Sequence, residues 1–203
     1  MNKWFVLAAT ISLAAGSASA LAAGDAAAGQ AKAAACAGCH GADGNSVNPI
    51  WPKLAGQHAK YIEKQLKDFK AGETRKDATM AGMVAALGEQ DMADIAAYFS
   101  GQKRTPGSAD ESQVELGEKI YRGGNPTTGV AACIGCHSPT GSGNPAANFP
   151  SISGQHAAYV EKQLKDFASG ARKNDAGKMM RNIAARMTEE EIKAVASYVQ
   201  GLH

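Results

Sequence analysis

Little in this sequence could build a large core unaided. Aromatic residues make up 6% of its 203 positions, as two Trp, five Tyr and five Phe, while Ala and Gly are plentiful. Charge of neither sign dominates: 21 basic residues face 19 acidic ones, a net +2, which gives no footprint for nucleic-acid binding. No run alternates apolar and polar residues with period two, so strands are not expected. Beyond the first 22 residues no apolar stretch approaches the roughly 20 residues that span a bilayer. Cysteine is absent except as two CxxC pairs, Cys36/Cys39 and Cys133/Cys136.

The amino terminus has the pattern of a secretory leader. Lys3 precedes an apolar run from Trp4 to Ala15, and small residues follow through Ala20-Leu21-Ala22, so cleavage is expected after Ala22. A transmembrane anchor is the rival reading, and the apolar run is short for one. The expected mature chain, 23–203, has 181 residues and a net charge of +1 after loss of Lys3. It should be soluble and exported to the periplasm. Domains of about 90 residues bury little surface by themselves, and a large apolar prosthetic group in each would supply the missing core.

An internal repeat organises everything after the leader. Residues 56–69 read GQHAKYIEKQLKDF and 154–167 read GQHAAYVEKQLKDF, identical at 12 of 14 positions. The register extends outward: Cys36 corresponds to Cys133, Pro52 to Pro150, Met80 to Met180 and Tyr98 to Tyr198. The chain is a tandem duplication. Gly101 to Ser108, rich in Gly, Pro and polar residues, is the linker, with the boundary placed near Thr105. This gives units 23–105 and 106–203.

Each half reads as helical. Ile62, Leu66 and Phe69 share one face at i, i+4 and i+7, and Val160, Leu164 and Phe167 repeat the pattern. Thr188 with Glu191 forms a capping box ahead of Ile192, Val195 and Val199, and the counterpart helix carries Met92, Ile95 and Phe99. Gly101 and Gly201 are expected helix stops. Further helices are expected at about 25–35 and 114–121. A Gly/Pro/Thr-rich insertion, 123–129, separates the second of these from the motif that follows it.

The chemistry resides in Cys36-Ala37-Gly38-Cys39-His40 and Cys133-Ile134-Gly135-Cys136-His137. Two thiols three positions apart can add to the two vinyl groups of a haem, leaving the adjacent His40 or His137 placed to bind iron. Two haem c groups, one per half, are therefore expected. A zinc site would require both pairs to converge on one metal although each belongs to its own repeat. A thioredoxin-like motif would need a βαβ setting, and short disulfides would leave the two histidines unexplained.

The second axial ligand must lie farther along each half. Met80 and Met180 are the one register that carries Met in both copies, since Met83 faces Ile183, Met92 faces Ile192, Leu87 faces Met187 and Thr79 faces Met179. A thioether favours ferrous iron and raises the potential, whereas a core role for both would be the plainer alternative. Both are expected in a loop-like stretch just before the last helix. His58 and His156 also agree between halves and would give a bis-His site, but each opens an amphipathic helix and reads as a solvated helix start. His203 is unmatched. The backbone carbonyls of Pro52 and Pro150, 12 and 13 residues after His40 and His137, are candidates to accept the remaining ring N–H. Trp51, Phe149, Tyr61, Tyr159, Leu54 and Ile152 are expected around the haem crevices.

With the paired CxxCH motifs, the PKLAGQ and PSISGQ loops at 52–57 and 150–155, the KQLKDF helices and the terminal YVQGLH, the chain resembles the bacterial cytochrome c4 family over nearly its whole mature length. The resemblance implies an all-α fold of two tandem class I cytochrome c domains related by a pseudo-twofold axis. It also implies His/Met ligation by His40 with Met80 and His137 with Met180. The implied role is one-electron transfer in a respiratory chain, from a quinol-oxidising bc complex or another cytochrome to a haem-copper terminal oxidase, in some members at the membrane surface. No substrate bond is broken. A small dihaem peroxidase or thiosulfate-oxidising cytochrome is the alternative; it needs a displaceable distal position, which the matched Met pair argues against. A subunit anchored in a larger oxidase or dehydrogenase complex is a third reading.

Overall fold

The computed structural model describes residues 23–203, and the leader reading of 1–22 lies outside the described residues. In the first unit α1 (Ala26–Lys32) runs on through a 3₁₀ turn at 33–35, and α2 (Ala37–His40) is the CxxCH segment itself. Then come α3 (Ala59–Ala71), α4 (Ala78–Val84) and α5 (Glu89–Ser100). The second unit repeats the order with α6 (Glu111–Gly123), α7 (Ile134–His137), α8 (Ala157–Ser169), α9 (Met179–Ala184) and α10 (Glu189–Gly201). Among the described residues there are no strands, only isolated bridges Asn125–Val130 and Asn144–Phe149, and no helix is long and apolar enough to cross a membrane.

Local chemistry explains the helix ends. Asp25 Oδ1 accepts the N–H groups of Ala27 and Ala28, which fixes the start of α1. Helix α6 begins at 111 rather than near 114, because Asp110 accepts the Ser112 N–H at 3.0 Å and caps it earlier. The capping box of α10 is complete: Thr188 Oγ1 accepts from Glu191 N, and Glu191 Oε2 accepts from Thr188 N. Gly72 and Gly170, left-handed at φ +66° and +77°, stop α3 and α8. Gly101 and Gly201 do not act as left-handed stops. Gly201 is the final residue of α10, and a Cβ there would come within 2.8 Å of Ala109, so its small size admits the segment that follows the linker.

Each unit closes on itself by crossing its first helix over its last. Gly29 of α1 lies so near α5 that a Cβ would sit 2.0 Å from the Asp94 carbonyl oxygen. Gly117 of α6 meets α10 the same way, 2.4 Å from Ala194 O. The anticipated apolar faces are inward: Ile62, Leu66 and Phe69 meet Met92, Ile95 and Phe99 in one core, while Leu164 and Phe167 meet Ile192, Val195 and Val199 in the other. Apolar burial of this kind is worth roughly 25 cal/mol per Å². Two separate cores confirm a two-domain all-α architecture.

Candidate functional site

The two CxxCH segments are single helical turns whose geometry follows from local hydrogen bonds. Cys36 O accepts the N–H groups of Cys39 and His40, and Cys133 O accepts those of Cys136 and His137. Each turn therefore gathers both sulfurs and the imidazole at one place. All four thiols are free, and burial pushes Cys133 up to about 11 and Cys36 in the same direction. Cys36 packs against the first core together with Met80, Leu54 and buried Val84. Cys133 packs against the second with Ile134, Met180, Ile152 and Ile183. In both units, then, cysteine and methionine border the same apolar cluster.

His40 and His137 are buried, and their Nδ1 atoms lie 2.9 Å from Pro52 O and 3.0 Å from Pro150 O. A carbonyl only accepts, so Nδ1 carries the proton. Nε2 is left as the ring's lone-pair nitrogen, with no hydrogen-bond partner among the described residues. Burial holds both rings below the ordinary imidazole range, hence neutral. A neutral imidazole oriented through Nδ1–H, two free thiols and a nearby thioether form a donor set that fits a covalently attached haem.

Met80 and Met180 lie in helices rather than loops. Asp77 Oδ1 accepts the Met80 N–H at 2.9 Å and starts α4. Asp175 takes both the backbone N–H and the Nε of Arg181, and so holds the first turn of α9. The Ala and Met of these short segments favour helix once its first turn is held.

His58 and His156 correct the solvated-helix-start reading. Each is the N-cap residue of its helix, yet its Nε2 reaches the opposite unit, His58 to Ser142 O at 2.8 Å and His156 to Ser46 O at 2.9 Å. Tyr61 and Tyr159, expected around the crevices, also point across. The Tyr159 hydroxyl accepts from Arg75 Nη2 and the Tyr61 hydroxyl from Arg172 Nη2, both at 2.8 Å. Trp51 and Phe149 are half-buried in the loops after each CxxCH.

The residues that join the units escaped the sequence reading. Arg75 and Arg172 are buried, each guanidinium over a ring of its own unit, Phe69 at 4.2 Å and Phe167 at 4.5 Å. Gln57 and Gln155 bind backbone of the opposite unit at Ser151 and Lys53. From the linker, Arg104 donates to Ala55 O on one side and Ser153 O on the other. Its Nη2 is buried without a partner among the described residues, and burial pulls its pKa to about 10. Every one of these contacts except the linker's has a counterpart in the other direction. The signal was available, because Gln57/Gln155 and Arg75-Lys76/Arg172-Lys173 hold corresponding positions in the two halves.

Comparison with known proteins gives a consistent picture. The profile of the cytochrome c family matches twice, at residues 26–103 and 114–203. The chain is 55% identical over 191 residues to cytochrome c4 of Azotobacter vinelandii, spanning 90% of this chain and 91% of that protein. The crystal structure of reduced recombinant cytochrome c4 from Pseudomonas stutzeri superposes with a TM-score of 0.87 at 52% identity, over 89% of this chain and all of that one. At 36% identity the chain also resembles a thiosulfate dehydrogenase electron acceptor of Stutzerimonas stutzeri, over 82% of this chain and 78% of that protein.

Proposed function

Because the chain belongs to the cytochrome c4 family and carries two covalent haem c groups, we propose that it shuttles single electrons through a bacterial periplasmic respiratory chain toward a haem-copper terminal oxidase. The family is one of dihaem electron-transfer cytochromes. The bound haem supplies one-electron chemistry at its iron. The protein's own residues do the rest. Cys36 and Cys39 anchor one group, Cys133 and Cys136 the other. His40 with Met80 and His137 with Met180 would ligate the two irons, and the carbonyls of Pro52 and Pro150 orient the two imidazoles through Nδ1–H. The chain divides near Thr105, after a leader ending at Ala22.

The observation that carries this reading is the duplicated donor set: in each unit a neutral, carbonyl-oriented imidazole, two free thiols and a methionine border one apolar cluster. Paired with an imidazole as iron ligand, a soft thioether would favour the ferrous state and suit a carrier at the oxidising end of a chain. Two buried imidazoles, each held through Nδ1–H, would also keep reorganisation on electron transfer small. The donor is a quinol-oxidising bc complex or another cytochrome. On this reading the protein relays electrons between partners and breaks no substrate bond. The likeness to the thiosulfate dehydrogenase electron acceptor of Stutzerimonas stutzeri supports a second setting, in which a thiosulfate-oxidising enzyme is the electron source and the protein still only relays.

The test combines mass measurement of the mature chain with a spectroelectrochemical titration. A mass for residues 23–203 plus two haems, low-spin His/Met spectra and reoxidation by oxidase-containing membranes are expected. A mature protein with one haem or none, or turnover of thiosulfate or peroxide by the protein alone, would sink the reading.

A further inference from the structure

We propose that each domain tunes the reduction potential of the haem in the other, Gln155 acting through His40 and Gln57 acting through His137. This rests on the axial role given above to the two histidines. Pro52 O, which accepts from His40 Nδ1, belongs to the peptide unit whose N–H is that of Lys53. That N–H donates to Gln155 Oε1 of the other domain at 2.8 Å, and Gln155 Nε2 returns a bond to Lys53 O at 2.9 Å. In the opposite direction His137 Nδ1 meets Pro150 O, the next N–H, Ser151, donates to Gln57 Oε1 at 2.9 Å, and Gln57 Nε2 donates to Ser151 O at 2.7 Å. Each glutamine is thus one peptide unit from the other domain's imidazole. Both are buried, Gln57 at 6% and Gln155 at 4% exposure.

The coupling follows from the electronics of the amide. Resonance ties the N–H and C=O of one peptide together, and accepting a bond from the N–H makes the carbonyl oxygen more negative. A more negative Pro52 O draws harder on His40 Nδ1–H and raises the basicity of Nε2. A more basic axial nitrogen favours ferric iron and lowers the potential. Removing the glutamine should therefore raise the potential of the haem across the interface. Loosening the interface alone would act in the opposite sense, since water admitted to the crevices stabilises the more highly charged ferric state and lowers both potentials.

The experiment uses the haem-loaded full chain with Gln155→Leu, Gln155→Glu and the same changes at Gln57. Midpoint potentials are measured, and each is assigned to its domain by proton NMR of the haem methyl groups. Gln155→Leu should raise the His40-side potential and move the His137 side little. Gln155→Glu keeps the shape and still accepts from Lys53 N, so it should lower the His40 side more than the other; this variant carries the test if the leucine form does not fold. The Gln57 pair should give the mirror result. Potentials that fall together in the leucine variants, a shift confined to the glutamine's own domain, or no shift in any variant would overturn the proposal. Two haems at unaltered potentials would leave the carrier reading intact. A chain that binds no haem through His40 and His137 would overturn that reading instead.

Discussion

At a single iron, exchanging sulfur for nitrogen decides which oxidation state is favoured. Met80→His and Met180→His should each lower one midpoint potential by on the order of 0.1 V or more, a fraction of the roughly 0.8 V that axial ligands span; unchanged potentials in a redox titration of both variants would reject the assignment. The proline carbonyls, too, were readable as candidates from their matched distance after each histidine, and they do lie at hydrogen-bond distance from Nδ1. The helical setting of the methionines was not, because it depends on Asp77 and Asp175 turning their side chains back onto backbone and neighbouring groups. Asp94 gives a test of a different kind. Lys32, the Asp25 N–H and Gln90 all donate to it and hold its pKa at about 2. A depressed carboxylate stabilises the fold above the unfolded value, near pH 4, and the contribution is lost as pH falls through that range toward 2. In the second domain a neutral hydroxyl, Ser197 Oγ, accepts the equivalent Asp110 N–H. Acid should therefore loosen the first domain before the second, with Asp94→Asn abolishing the difference, as residue-resolved hydrogen exchange between pH 5 and pH 2.5 would report.

At the level of the helix, apolar spacing predicted which faces turn inward, and the stripe positions of α3, α5 and α10 all obey it because burial leaves no other use for that stripe. Spacing does not show how closely two helices approach. Gly29 and Gly117 are separated by 88 positions, whereas the repeat offset elsewhere is 97 to 100, so the insertion at 123–129 hid their equivalence. The structure reveals it, since both face the carbonyl of the corresponding residue, Asp94 or Ala194, and the Cβ of Tyr98 or Tyr198. Gly29→Ala and Gly117→Ala should each destabilise the haem-loaded protein by about 1–3 kcal/mol through overpacking against backbone. Chemical denaturation would measure this, and a neutral result at either position would mean that the helices can slide apart without cost.

Across the molecule, contacts come in reciprocal pairs: Gln57 with Ser151 and Gln155 with Lys53, His58 with Ser142 and His156 with Ser46, Arg75 with Tyr159 and Arg172 with Tyr61. Such a surface is self-complementary in the manner of a twofold dimer. Sequence reading found the duplication but not this surface, because polar side chains spaced along two loops and a helix show no periodicity until the halves are docked. Buried guanidiniums donating to phenol and amide oxygens should make the two domains unfold together. Calorimetry should show one transition in the parent and two in an Arg75→Ala, Arg172→Ala variant, whose remaining buried acceptors each lose about 1–3 kcal/mol. In the linker Arg104 alone donates to both domains, while Lys103 and Thr105 bond to Asn45 and Lys53 of the first and Ser108 O accepts from Gln200 of the second, so the reciprocal pairs do not depend on an unbroken linker. A protease cut between Lys103 and Pro106 should thus leave the halves associated at micromolar concentration, as sedimentation would record. The ancestor of this chain is then best pictured as a symmetric pair of single-haem proteins that already embraced one another before their genes were joined.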